Sequence, residues 1–346
     1  MIFMYKKYLN TITLGDCLKL LKDIPDNTVD LAFADPPFNL KKEYGKYDDR
    51  KELKEYLKWC ENWLKELIRV TKPTGSICVH NIPKWLTYFS SILNDSVDFR
   101  HWIVWDSLSK PLGKALQPAH YGILLYAKDR KKQKVYELRS PHKRDRRTSF
   151  LQKDYGGKKD NLHPFGPILT DVWTDIHRIK HNGLRENHPC QLPAHLLERI
   201  ILLTTDKGNL VLDPFSGTGV TAIAAKKLGR KFIAFEIDES YVTIAKEKLN
   251  RINFKTRIGN SYVSIYRNDL ATIRDIDWKK LKQHFIIPRP LRLIDKSKIQ
   301  LREQSILKLS EQKRLAMSKV RSKRAKTKVV TLKKVSRQQV SIAALA

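Results

Sequence analysis

The chain contains 346 residues, 41% of them hydrophobic, which is enough for about two or three domains with a sizeable core. Lys and Arg number 67 against 36 Asp and Glu, and a net charge of +31 predicts binding to a polyanion, either nucleic acid or an anionic membrane surface. No apolar run reaches the roughly 18 residues of a transmembrane helix, and no signal peptide is predicted at the N-terminus. The four cysteines are scattered, which is typical of reduced thiols in the cytoplasm. We expect no bound metal, because basic residues flank the one pair of histidines at helical spacing, His177 and His181.

Strands and helices alternate along the first part of the chain. The predicted elements are a strand at 8–14, a helix at 18–24, a strand at 31–34, an amphipathic helix at 51–70, a turn at 72–75, strands at 76–80, 102–105 and 121–127, and a helix at 85–93. We interpret the aromatic residues of the amphipathic helix as core packing. This order indicates an α/β protein with a mostly parallel sheet covered on both faces.

Residues 128–186 interrupt the alternation with basic runs, turn-forming Gly and Pro, and scattered aromatic residues. Regular order returns with a helix at 194–205, a strand at 209–212, a helix at 220–228, a strand at 231–236 and a helix at 240–252. Beyond them, 288–290 resembles an extended hinge and 297–317 could form a basic helix. From Lys282 onward there are 18 Lys and Arg against three Asp and Glu, so a solvated tail or a polyanion-binding tail is expected.

A first motif, Asp35-Pro36-Pro37-Phe38, directly follows the apolar run at 31–34. Proline cannot extend a strand ladder, and Pro37 restricts Pro36 to an extended conformation. The chain is therefore expected to leave the sheet as a stiff loop that carries a carboxylate, unpaired carbonyls and an aromatic ring. In open α/β sheets this carboxyl end of the strands is where ligands bind.

A second motif combines a strand, a glycine turn and the start of a helix, at 210–222. Glycines allow a ligand to approach the backbone closely, and the helix N-terminus favours an anion. Gly217 to Ala222 also fits the dinucleotide fingerprint G-x-G-x-x-A, and Glu236, 19 residues after Gly217, could hold ribose hydroxyls. An NAD-dependent oxidoreductase is therefore one alternative, although it gives no role to Asp35–Phe38 and would need more strands after the fingerprint. A non-catalytic DNA-binding protein is a second alternative, which the basic composition suggests.

Together the two motifs resemble the amino-methylating DNA methyltransferases of the beta type, in which Asp-Pro-Pro-aromatic precedes Phe-x-Gly-x-Gly. Gly15-Asp16-Cys17 and His188-Pro-Cys-Gln191-Leu-Pro193 extend the resemblance, but Leu192 stands where the family usually has lysine. The resemblance implies a Rossmann-like sheet of seven strands in circularly permuted order, with strands beginning near residues 9, 31, 76, 102, 121, 209 and 231. It also implies S-adenosylmethionine as cofactor, with Asp16 near the adenine amino group and Glu236 at the ribose. The cofactor-binding residues implied are Asp16, Cys17, His188, Gln191, Asp213, Phe215, Ser216, Gly217, Thr218, Gly219 and Glu236.

The catalytic residues implied by the resemblance are Asp35, Pro36, Pro37 and Phe38. Asp35 and a carbonyl of Pro36 or Pro37 would accept the two amine protons, and Phe38 would stack on a base flipped out of the duplex. Asp at position 35 favours adenine N6 as the acceptor, with cytosine N4 as the alternative, because both amines present the same two protons. No cysteine nucleophile is expected.

The domain organisation expected is a catalytic half at 8–127, a target-recognition insertion at 128–186, a cofactor-binding half at 187–255 and a basic extension at 256–346. A basic surface loop without specificity is the alternative for the insertion. Double-stranded DNA is the expected partner, in a cytoplasmic, nucleoid-associated protein with no membrane contact. Restriction-modification with a cognate endonuclease and an orphan enzyme both fit, as do a monomer and a homodimer.

Overall fold

A computed structural model of the chain describes residues 4–40, 43–44, 47–106, 116–139, 142–143, 168–176, 178–179, 191–251, 266–267 and 285–286. Its strands are β1 (Thr11–Leu14), β2 (Val29–Ala34), β3 (Glu43–Tyr44), β4 (Tyr47–Asp48), β5 (Thr71–Asn81), β6 (Asp98–Asp106), β7 (His120–Ala127), β8 (Leu138–Arg139), β9 (His142–Lys143), β10 (Val172–Trp173), β11 (Leu210–Asp213), β12 (Lys231–Glu236), β13 (Tyr266–Arg267) and β14 (Phe285–Ile286). Its α-helices are α1 (Cys17–Leu20), α2 (Leu53–Val70), α3 (Pro83–Asn94), α4 (Ala194–Thr204), α5 (Val220–Lys227) and α6 (Glu239–Arg251).

The chain forms two compact units. The larger comprises Met1–Pro141 and Ile168–Leu281 and contains all the helices described. The smaller comprises His142–Pro167 and Lys282–Ala346, and its described part is the antiparallel pair of β9 and β14. No helix in the described part of the chain combines the length and apolarity needed to cross a bilayer.

The larger unit is built on an eight-stranded sheet with the order β1-β12-β11-β2-β5-β7-β6-β10. The first five strands in this order, β1, β12, β11, β2 and β5, run parallel to one another. Strand β7 runs antiparallel to both β5 and β6. The parallel arrangement brings the carboxyl ends of β1, β12, β11, β2 and β5 to one edge of the sheet. Both sequence motifs lie at this edge.

Successive residues of each central strand pack on opposite faces of the sheet, as the period of a strand requires. In β2, Ala32 and Ala34 face the helices α1 to α3, while Leu31 and Phe33 face α4 to α6. All four are buried. The continuous apolar run that predicted a doubly covered strand therefore has its cause in this two-layer core.

All seven strands expected from the sequence are present, and the Rossmann-like α/β class is confirmed. An eighth strand, β10, pairs in parallel with the outer edge of β6. It lies within the segment 128–186, where Trp173 is buried and joins the core on the α4 side. Residues 168–176 thus contribute to the sheet unit.

The sequence predicts a turn at 72–75 between the amphipathic helix and the next strand, but the structure has no separate turn there. Helix α2 ends at Val70 and β5 begins directly at Thr71. The pairing with β2 shifts between Val29↔Thr71 and Leu31↔Ser76, so the turn-forming residues are accommodated as an irregularity inside the strand pair. Gly75 fits there because a Cβ would lie 2.8 Å from the Asp30 carbonyl oxygen.

Several expectations concern residues outside those described. They are the hinge at 288–290, the basic helix at 297–317, His188, and most of the insertion and the C-terminal extension.

Candidate functional site

The two motifs line one cavity at the carboxyl edge of the sheet. Because β2 and β11 are parallel neighbours, with Leu31 opposite Val211, the segments that follow them meet. The cavity has a volume of about 480 Å³, within the range of small-molecule sites. The expected site residues among its lining are Asp16, Cys17, Asp35, Pro36, Pro37, Phe38, Gln191, Asp213, Phe215, Ser216, Gly217, Thr218 and Glu236.

The loop that carries Asp35 is anchored by hydrogen bonds beyond the motif. The buried Asp49 carboxylate accepts the backbone N–H of Asn39 at 2.7 Å and that of Leu40 at 2.9 Å. The Asn39 side chain in turn donates to the Lys51 carbonyl and accepts from the Lys51 N–H, at 2.8 and 2.9 Å. Asn39 adopts φ +50°, a conformation that Asn tolerates better than most residues. The loop is therefore held in one geometry before any ligand binds.

The two proline carbonyls of the motif differ in their surroundings. The Tyr56 hydroxyl donates to the Pro37 carbonyl at 2.5 Å, whereas the Asn81 amide approaches the Pro36 carbonyl at 3.5 Å. A bond of 3.5 Å is at the weak limit of hydrogen bonding. Of the two carbonyls, that of Pro36 is consequently the better one for an additional donor.

Phe38 is only 3% exposed, and its ring lies beside Tyr121, with 6.0 Å between ring centroids. The Trp85 indole donates to its carbonyl at 2.5 Å. The ring thus forms part of the cavity wall and is held by its neighbours.

The glycine turn after β11 contributes Ser216, Gly217 and Thr218 to the cavity lining, whereas Gly219 lies outside that lining. Gly219 caps α5 with φ +80°, and a Cβ there would lie 2.7 Å from the Ala245 Cβ. Glu236, at the end of β12, accepts the Gly217 N–H at 2.7 Å through Oε2 and two further N–H groups through Oε1. The Glu236 carboxylate therefore links the glycine turn after β11 to the end of β12, the two segments expected to bind the cofactor.

Four carboxylates line the cavity: Asp16, Asp35, Asp213 and Glu236. Burial raises the pKa of Asp213 to about 7, with smaller contributions from the charges of Asp35 and Glu236. Burial likewise raises the pKa of Glu236. Such a site favours a ligand that carries positive charge.

Asp16 and Cys17 stand where β1 gives way to α1. The Asp16 carboxylate caps α1 by accepting the Leu18 N–H at 2.8 Å through Oδ1, and Asp16 also lines the cavity. Burial raises the pKa of the Cys17 thiol, as expected for a side chain that packs and does not react.

Sequence reasoning missed several residues in or beside the site, of which three bear on its chemistry. Trp59 of α2, which the sequence did not single out, lines the cavity and packs on Phe215, with 5.5 Å between ring centroids. Lys51 is the one cation among the described lining residues. His80 contacts Asp35 from β5. None of the three stands in a recognisable motif, and only the fold brings them to the edge.

Comparison with known proteins identifies the family and the fold of this chain. The family model N6_N4, described as DNA methylase, matches residues 29–247. The chain is 43% identical over 237 residues to the type II methyltransferase M.BamHI of Bacillus amyloliquefaciens, a match that covers 68% of this chain and 56% of that protein. It is 34% identical over 242 residues to M.HpaI of Haemophilus parainfluenzae, covering 68% of this chain and 73% of that one.

Among solved structures, the cytosine-N4-specific PvuII DNA methyltransferase matches with a TM-score of 0.50 and 21% identity. The match covers 71% of this chain and 88% of that chain, and it shows a common fold. The chain spans little more than half the length of M.BamHI.

Proposed function

Because this chain belongs to the N6_N4 DNA methylase family, we propose that it methylates an exocyclic amino group of a base in double-stranded DNA. S-adenosylmethionine, the cofactor expected from the sequence, is the methyl donor of this family. The observation that supports the proposal best is the shared cavity. A proton-accepting loop after β2 and a glycine turn after β11 line it together.

The residues of the cavity suit this cofactor. The Ser216 hydroxyl is buried without a hydrogen-bond partner among the described residues, so it has a donor and acceptor to offer. Oε2 of Glu236 accepts one N–H and retains capacity for a ribose hydroxyl. Asp16 can accept from an amino group, and the surrounding carboxylates complement a cation.

When bound, S-adenosylmethionine supplies a methyl group on a positively charged sulfur. The part of the protein is to hold the acceptor amine, whose lone pair is otherwise delocalised into the base. Asp35 and the Pro36 carbonyl accept its two hydrogens, which turns the lone pair toward the methyl group, and orientation supplies much of the rate. Asp35 then takes the proton that the nitrogen loses. The proposed role of Phe38 is to stack on the flipped base, a contact worth about 1–3 kcal/mol, and this requires its ring, which is 3% exposed, to become accessible when DNA binds.

Adenine N6 is the acceptor that we propose, on the basis of Asp35 in the first motif. Cytosine N4 presents the same two protons to the same acceptors, so the experiment must read both products.

Target recognition is proposed for the basic insertion. Lys128 donates to the Asn27 side chain at 2.8 Å and to the Arg69 carbonyl at 3.0 Å, so it stabilises the sheet unit. Residues 168–176 complete the sheet through β10. The DNA contacts are therefore proposed for the basic residues after Lys128, and phosphate contacts for the C-terminal extension.

The test is methylation of duplex DNA by the purified protein with isotopically labelled S-adenosylmethionine, followed by nucleoside analysis. We expect N6-methyladenine, whereas N4-methylcytosine would refute the proposed base but not the reaction class. Asp35→Ala should abolish transfer and leave DNA binding within about threefold of wild type. Full activity in that variant would refute the mechanism, and binding of a labelled nicotinamide cofactor in place of S-adenosylmethionine would refute the function.

A further inference from the structure

His80 lies beside the proposed proton acceptor and has no role in either sequence motif. Ala34 of β2 pairs with Val79 of β5, so the next residues along the two parallel strands, Asp35 and His80, are neighbours at the sheet edge. The His80 Nδ1 lies 2.7 Å from the Asp35 Oδ1. The His80 side chain is 2% exposed and that of Asp35 is 14% exposed. The pair is thus a buried, short hydrogen bond at the centre of the site.

The surroundings of the imidazole fix its orientation. It is enclosed by the rings of Phe38, Trp105 and Tyr121, at centroid distances of 5.9, 5.7 and 5.3 Å. The Nε2 atom is buried and has no hydrogen-bond partner among the residues described. A hydrogen on Nε2 would therefore be a buried donor without an acceptor, which is costly. The tautomer with its hydrogen on Nδ1 avoids this and donates to Asp35.

We propose that His80 is a positioning residue for methyl transfer, which holds the Asp35 carboxylate through Oδ1 so that Oδ2 faces the acceptor amine. This inference rests on the proposed function, because it assigns the two oxygens of the proposed proton acceptor. A carboxylate whose rotamer is fixed before the substrate arrives needs no reorganisation during the reaction. The described residues offer no onward path for a proton, because the buried Nε2 of His80 has no hydrogen-bond partner among them.

Two substitutions separate positioning from packing. His80→Leu keeps about the volume of the side chain and removes the donor. His80→Asn places an amide nitrogen where Nδ1 was and leaves space within the aromatic enclosure. We expect the melting temperature to fall more in His80→Asn than in His80→Leu, because the void left around the smaller asparagine side chain costs stability.

Activity is expected in the opposite order. His80→Leu should lower kcat about 100-fold, the scale of a misplaced catalytic group, with KM for DNA and cofactor within about threefold of wild type. His80→Asn should restore kcat to within about tenfold of wild type. A residue that only packs would give activities that follow the melting temperatures.

Wild-type activity is measured first in the same assay. An inactive wild-type protein would refute the proposed function and this inference with it. An active wild type with His80→Leu within threefold of its kcat, or with His80→Asn as inactive as His80→Leu, would overturn this inference and leave the proposed function standing.

Discussion

Asp213 is an acidic residue of the site whose side chain is buried. Asp213 is 3% exposed and accepts the Phe215 N–H at 2.9 Å, yet its carboxylate shares the cavity with Asp35 and Glu236. Burying a carboxylate costs free energy unless a cation accompanies it. The site thus stores a cost in the free protein that a positively charged ligand can offset.

This cost predicts a pH dependence of stability. In the unfolded chain Asp213 titrates near pH 4, whereas burial raises its pKa in the folded protein to about 7. The folded state therefore holds a proton that the unfolded state has lost, and its stability falls as the pH rises through this window. Asp213→Asn removes the titration, so we expect the variant to gain roughly 2–3 kcal/mol over wild type between pH 5 and pH 8.

Chemical unfolding at both pH values, without cofactor, measures the effect. A difference in unfolding free energy that is independent of pH would contradict the proposed cost of ionising Asp213.

At the scale of elements, two devices shape the cavity, and the first is the glycine turn before α5. Gly219 and Gly208 have nearly the same positive φ, +80° and +79°. A Cβ on Gly219 would meet the Ala245 Cβ at 2.7 Å and Ile12 Cδ1 at 3.0 Å, whereas a Cβ on Gly208 meets nothing within 4 Å. A substitution at either position therefore introduces backbone strain, but only a substitution at Gly219 also introduces a steric clash.

Gly219→Ala is expected to weaken cofactor binding at least tenfold and to lower the melting temperature, because α5 and α6 must move apart. Gly208→Ala carries the same strain of about 1–2 kcal/mol and should bind the cofactor normally. Calorimetric titration with S-adenosylmethionine compares the pair. Equal affinities would show that the close approach of α6 does not shape the turn.

The second device is the anchor of the catalytic loop. Asp49→Ala leaves the Asn39 and Leu40 N–H groups without their carboxylate, and hydrogen bonds to charged acceptors are worth about 1.5–3 kcal/mol each. We expect kcat to fall at least tenfold with cofactor affinity unchanged, because the loop loses its geometry while the glycine turn is untouched.

A matched control is Glu61→Ala, which removes a carboxylate that pairs with Lys58 and Lys65 on the surface of α2. It should keep wild-type kcat in the same single-turnover assay. An Asp49→Ala protein with wild-type kcat would show that the loop holds its conformation by the two prolines alone.

At the scale of the whole molecule, charge is expected to govern the DNA affinity. Residues after Pro290 contain 16 Lys and Arg, and their removal should flatten the dependence of DNA affinity on salt concentration, because fewer counterions are released. The last nine residues, 338–346, carry no charge, and their removal is the control. Binding isotherms between about 50 and 200 mM salt measure the slopes. An unchanged slope after removal of residues 291–346 would refute the proposed phosphate contacts.

The sequence by itself determined the elements and the two motifs. Short apolar segments located the seven strands. A strand that is buried on both faces, such as β2, is apolar throughout. Asp35–Phe38 and Gly217–Gly219 were identifiable because prolines and glycines impose local backbone conformations that neighbours in sequence reveal. The cofactor was implied by the resemblance of these motifs, in their permuted order, to the beta-type DNA amino-methyltransferases.

Only the tertiary structure decided which other residues join them. His80 and Trp59 lie in an ordinary strand and an ordinary helix, and their distance along the chain from Asp35 and Phe215 conceals the contacts. The same holds for β10, whose two residues form a strand only because β6 offers an open edge. Pairing across a parallel sheet joins residues far apart in sequence, and no local pattern records the partner. For Asp35 the sequence therefore supplied the carboxylate, and the fold supplied the histidine that orients it.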